Sequence, residues 1–160
     1  MRTTMAGGAL SADPGILGAM TLLRVGGPVD ESGVCLAVYS DELDPEAVTA
    51  LLGNAPTASH RRGERRGPRS PPYKRGGWFL QLRSRAPRQV NELVADLLDR
   101  LPRDEGVMQR LRDAYEVQLR IALHLGGFNQ GFEVSPGIVE RIAKLKVPML
   151  FDIYADPEEK

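Results

Sequence analysis

Two histidines, one cysteine and a dense run of arginines are the residues in this chain whose types could do chemistry. His124 follows Gln118 and Arg120 at even spacing along one apolar-polar alternation, and an imidazole there could exchange protons in a cleft. No serine, cysteine or carboxylate stands next to it in sequence, so it reads first as an exposed strand histidine. His60 lies in a polar stretch among arginines, where phosphate contact is the functional reading and a solvated loop histidine the simpler one. Cys35 falls inside the apolar run Val34-Cys35-Leu36-Ala37-Val38 and reads as a small buried hydrophobe rather than a nucleophile. Two histidines and a single cysteine cannot supply the clustered ligands of a typical zinc site, so no metal and no cofactor is expected.

The arginine run is the sharper local signal. His60–Arg75 holds Arg61, Arg62, Arg65, Arg66, Arg69, Lys74 and Arg75 against Glu64, so seven cations face one carboxylate, a local charge of +6. Such a density attracts phosphate or an acidic protein surface, and Tyr73 and Trp78 flank it as stacking groups. The plain alternative is a solvated insertion balancing acidic surface elsewhere. Gly63-Glu64-Arg65-Arg66-Gly67 lacks the Gly-Lys-Ser/Thr ending of a phosphate-binding loop. Asp152, enclosed by Leu150, Phe151, Ile153 and Tyr154, is costly to bury unpaired. It is expected to reach the open face with Tyr154, or to bond an arginine or a backbone N–H.

The elements that must position these groups follow from periodicity. Val117, Leu119, Ile121, Leu123 and Leu125 alternate with Gln118, Arg120, Ala122 and His124, which predicts a strand with one face on the core and one towards solvent. Gly126-Gly127 is read as a turn, with Phe128–Val134 returning as its partner strand. Strands are also expected over 34–39, 78–83 and 148–154. Leu43-Asp44-Pro45-Glu46 starts a helix that Gly53 closes. Pro87 opens an amphipathic helix through Val90, Leu93, Val94, Leu97, Leu98 and Leu101, which Pro102 ends. A short helix carries Val107, Met108 and Leu111. Ser135-Pro136 begins the last helix, with Ile138, Val139, Ile142 and Leu145 inward. The fold class is α+β, a mostly antiparallel β-sheet with helices packed on one face.

Residues 1–28 read as a flexible leader, 29–155 as one α+β domain with a basic Pro/Gly/Arg-rich loop at 55–77, and 156–160 as an acidic tail. The loop holds four prolines and four glycines with almost nothing to bury. At 160 residues one domain buries roughly 70% of its unfolded surface without staples. Basic and acidic residues balance at 21 each, which argues against nucleic acid as the partner of the whole chain. A lone cysteine suits a reducing compartment. Asp13, Pro14 and repeated glycines interrupt any signal-peptide core, and no run approaches the ~20 apolar residues of a membrane helix. A cytoplasmic protein is expected.

The series Leu43-Asp44-Pro45-Glu46, Leu51-Leu52-Gly53 with Pro56-Thr57, Gly63-Glu64, Gly77-Trp78 and the closing Phe151-Asp152-Ile153-Tyr154 resembles the bacterial family known as domain of unknown function 4279, over about Val34–Tyr154. The matching positions are Pro56, Thr57, Gly63, Glu64, Trp78, Asp152 and Tyr154. The long Arg/Pro-rich stretch between Glu64 and Trp78 departs from the pattern. The resemblance implies small α+β proteins without an assigned activity, so it supplies no catalytic residues.

Three roles are weighed. The first is a non-enzymatic module docking a protein partner, immunity-like or accessory to an enzyme, through Gln81, Arg83, Gln118, Arg120 and His124 or through the basic loop with Arg62. The second is a small-molecule binder or small enzyme whose pocket gathers Glu64, Trp78, His124, Asp152 and Tyr154. It requires Trp78 and Asp152 on the same side of the sheet. Nucleic-acid binding by the Arg-rich loop ranks third. The oligomeric state is not legible in the sequence.

Overall fold

The alternating run forms strand β5, Glu116–Leu125, in which Val117, Leu119, Ile121 and Leu123 are buried while Gln118, Arg120 and Ala122 are half-buried and His124 is exposed. A computed structural model describes this strand and its surroundings over residues 27–85, 90–127 and 129–155. The other strands are β1 (Gly27–Pro28), β2 (Glu31–Ser40), β3 (Ala58–His60), β4 (Gly76–Arg85), β6 (Gln130–Gly131) and β7 (Met149–Ala155). The helices among the described residues are α1 (Pro45–Leu52), α2 (Val90–Arg100), α3 (Glu105–Ala114) and α4 (Pro136–Leu145).

Five strands form one sheet in the order β3-β4-β2-β5-β7. Neighbours run antiparallel except β5 and β7, which are parallel. A parallel return needs a long crossover, and the segment carrying α4 provides it. The sheet is therefore mostly antiparallel and the fold α+β, as the pattern predicts.

The core lies on one side of this sheet. Val34, Leu36 and Val38 of β2, Trp78 and Leu80 of β4, and the buried set of β5 meet Leu93, Val94 and Leu97 of α2 and Leu111 of α3. The strands β2, β4 and β5 turn alternate residues to the helices, because successive side chains point to opposite faces. The helix starts follow local chemistry. Asp44 and Ser135 hold extended backbone before Pro45 and Pro136, whose fixed φ suits the first turn. Asp44 turns its carboxylate to Arg61 instead of capping the helix with it. Gly53 ends α1 at φ 68°, a left-handed conformation that costs a side-chain-bearing residue more.

Several expectations are corrected. Phe128–Val134 does not return as a partner of β5, because β2 and β7 already occupy both edges of that strand. Gln130–Gly131 pairs instead with Gly27–Pro28 in a small parallel ladder, while Phe128 lies outside the described residues. Val139 is 51% exposed, since the buried stripe of α4 runs through Ile138, Ile142 and Leu145. The stretch 55–77 is mostly exposed but structured: β3 pairs with β4, Arg65 bridges Pro72, and Gly76 and Gly77 are buried at the start of β4. Of the expected leader over 1–28, Gly27 and Pro28 form β1, and residues 1–26 lie outside the described residues, as do Pro87 and the tail at 156–160.

Candidate functional site

Opposite the helices, the sheet carries a hollow built from differences in side-chain size. Gly33 of β2 stands between Arg83 and Ala122, and Cys35 between Gln81 and Arg120. Small residues thus form the floor and long ones the walls. Across β5, Ala122 pairs with Asp152 and His124 with Tyr154 of β7, which raises a further wall. Phe79 and Ala58 line one end and Glu31 the other, enclosing about 480 Å³.

The polar groups of this face are tied to one another. Arg120 donates through Nη2 to Asp152 Oδ2 at 2.7 Å and through Nη1 to the Tyr39 hydroxyl at 3.2 Å. The bond to Asp152 holds the guanidinium more firmly protonated than usual, against a smaller opposing effect of burial. His124 and Tyr154 stack with centroids 4.7 Å apart. With its amide oxygen turned to Arg83, Gln81 accepts from Nε at 3.0 Å and Nη2 at 3.2 Å. Burial pushes the Cys35 thiol up to about 11, although Arg120 and Arg83 both pull it down. At neutral pH the thiol is protonated and a poor nucleophile.

The basic loop meets the sheet at the other end of this face. Arg61 pairs with Asp44 at 2.7 Å and with Glu46. Arg62 reaches Asp41 at 3.4 Å, and Arg75 bonds Glu116 at 2.7 Å. Three of the seven cations are therefore matched by carboxylates on neighbouring elements. His60 stacks on Tyr73 at 3.5 Å across the loop. Gly63 takes φ 85° at a bend where Glu64 Oε2 accepts from the Arg61 N–H at 3.0 Å. A second, more open depression lies between Tyr39, Gln118 and the Tyr73–Arg75 segment.

The candidate residues therefore divide. Arg120, His124, Asp152 and Tyr154 come together on the outer face, whereas Arg62 and Glu64 belong to the loop and do not line the hollow. Trp78 corrects the pocket reading. It is wholly buried on the helix side, where its Nε1–H donates to Thr49 Oγ1 at 3.0 Å, so Trp78 and Asp152 lie on opposite sides of the sheet. Its place follows from alternation: Trp78 shares a face with Leu80, and the outward position is Phe79. Sequence reasoning missed Gly33, Cys35 and Ala122 as the floor. The signal was present, because Gly33, Cys35 and Ala37 alternate with Val34, Leu36 and Val38 and so occupy the outer face of β2.

Thr57, one of the residues carrying the family resemblance, has a structural role. Its hydroxyl donates to the Phe79 carbonyl and accepts from the Gln81 N–H, both at 3.0 Å, satisfying the edge of β4 beyond β3. Among the described residues no group of three or more His, Cys, Asp or Glu is placed to hold a metal, and no helix is long and apolar enough to cross a membrane. No curated protein matches the chain, and no solved structure matches it. A family model does match, over residues 30–156, a span that includes the β2–β7 sheet and the outer face. The chain belongs to the family described as Domain of unknown function (DUF4279).

Proposed function

We propose that this protein is a binding module that docks a protein partner on the sheet face opposite its described helices. The observation that carries the reading is the outer face, which no described helix covers. Arg120 with Asp152, Gln81 with Arg83 and His124 with Tyr154 stand there in fixed pairs, offering oriented donors, acceptors and aromatic surface. Groups already held by neighbours lose little conformational entropy when a partner arrives. The protonated Cys35 supplies no activated nucleophile, which favours recognition over covalent chemistry. A lone thiol also suits a reducing cytoplasm.

The hollow over Gly33, Cys35 and Ala122 favours a second reading, a small polar ligand, because its volume falls within the range of about 300–1,000 Å³ typical of ligand sites. Nucleic acid fits less well, since ion pairs engage three of the loop cations.

Affinity capture with the intact chain tests the proposal, using Arg120→Ala/His124→Ala and a deletion of Gly63–Arg75 as parallel baits. A specific protein retained by the wild type and the loop deletion, but lost with the face variant, supports it. Equal recovery on the face variant refutes it. A thermal shift with small polar metabolites, absent in Arg83→Ala, would instead favour the ligand reading.

A further inference from the structure

The edge strand β7 has features that the outer-face reading does not use. Its inner neighbour is β5, and its other edge is unpaired among the described residues. Natural edge strands are usually blunted by Lys, Pro or a bulge. Met149–Ala155 contains none of these residues, and its only charge is Asp152. Apolar side chains stand exposed on both faces: Phe151 at 40% and Ile153 at 61% towards the helix side, Leu150 at 43% and Tyr154 at 54% towards the outer side. Phe132, 6.1 Å from Phe151 between ring centroids, extends the helix-side patch.

We propose that β7 pairs antiparallel with β7 of a second copy of this chain, joining two five-stranded sheets into one of ten strands. The sequence of the strand selects the register. With the two-fold axis at Asp152, Phe151 faces Ile153 of the other copy on the helix side, and Leu150 faces Tyr154 on the outer side. Both are the apolar and aromatic cross-strand pairs that stabilise sheets. The two aspartates then meet at the axis, where like charges would repel. Each already carries its own Arg120 at 2.7 Å, so the four charges sum to zero. Moving the axis to Phe151 would set each carboxylate against Leu150 and lose this match. The exposed apolar groups hold on the order of 450 Å² per copy, given about 150–250 Å² for a buried aromatic side chain, more than half of the roughly 800 Å² per partner of a standard interface, and main-chain pairing along the strand adds to it. Pairing about this axis also places the two outer faces side by side.

Sedimentation velocity on the intact chain, from about 1 to 100 µM, tests the pairing at the concentrations where such interfaces form. The expected result is a species of twice the chain mass. Ile153→Lys should weaken it by about 100-fold or more, because a lysine would be trapped at an apolar seam, while the circular dichroism stays unchanged. A wild type that remains monomeric, or an Ile153→Lys dimer of unchanged affinity, overturns the proposal. Register is tested separately by mixing Leu150→Cys and Tyr154→Cys chains that also carry Cys35→Ala. A disulfide forming preferentially in the mixture supports the axis at Asp152, and equal cross-linking of each variant with itself refutes it.

Discussion

Replacing Trp78 with Phe separates a core role from a binding role at the residue that the pocket reading assigned to the site. Trp78 is wholly buried, and its indole N–H is bonded to Thr49 at 3.0 Å. The change removes that hydrogen bond, a net loss of about 1 kcal/mol. It also leaves a void where the second ring was. Complete truncation of a buried Trp costs about 3–5 kcal/mol, so loss of part of the side chain is expected to bring the total to about 2–3 kcal/mol. For a chain of this size that is a fall in Tm of roughly 4–12 °C. Urea denaturation followed by far-UV circular dichroism measures it without relying on the tryptophan. A cycle with Thr49→Val should show coupling of about 1 kcal/mol between the two positions. Binding at the outer face should survive, since the sheet lies between Trp78 and that surface. Loss of binding with stability intact would refute the placement, as would a Trp78→Phe chain as stable as wild type.

Cys35 should react with iodoacetamide at pH 8 about 100-fold more slowly in the folded chain than in urea, because its thiol is pushed up to about 11 from 9.0. The same shift has a stability consequence: the contribution of the neutral thiol is complete below pH 9 and is lost as pH rises towards 11. Equal rates in the two states would contradict its burial. Burial holds His60 below the ordinary imidazole value of 6.5, and Glu64 opposes this only in part. The unfolded chain therefore takes up a proton first, and stability is lost as pH falls below 6.5. His60→Gln should flatten that acid limb, and an NMR titration placing His60 at or above the usual value would count against the stacked loop. Asp152→Asn should cost about 1–2 kcal/mol, between the exposed and buried limits for ion pairs, since Arg120 and Asp152 side chains are 36% and 28% exposed. An unchanged urea midpoint would show that this pair contributes nothing to the fold.

Alternation and helix period carried most of the architecture because they report directly on burial. Val117–Leu125 shows this best, since a slip of one residue would turn its whole apolar set to water. The stripe Val90–Leu101 is as plain, because only a helix brings those positions onto one side. What stayed hidden was long-range pairing. Nothing local in Gly126–Val134 announces that β5 has no free edge, or that Gly27 and Pro28 meet Gln130 and Gly131. The basic loop was legible as an insertion balancing acidic surface elsewhere, but its partners were hidden for a related reason. Its charge was counted along the chain, whereas Asp41, Asp44, Glu46 and Glu116 come from other elements to meet it. At the site, the conspicuous residue was Trp78 and the useful ones were small. Size contrast across three strands makes the hollow, and that contrast exists only once Gly33, Cys35 and Ala122 are set in register.

The sidedness of β5 is tested most directly by placing single cysteines from Val117 to His124 in a Cys35→Ala chain and measuring thiol reactivity under native conditions. Rates should rise and fall with a period of two, with 118, 120, 122 and 124 fast and 117, 119, 121 and 123 protected. Uniform rates, or protection on both sides, would mean that the sheet has no bare face and that no docking surface exists there.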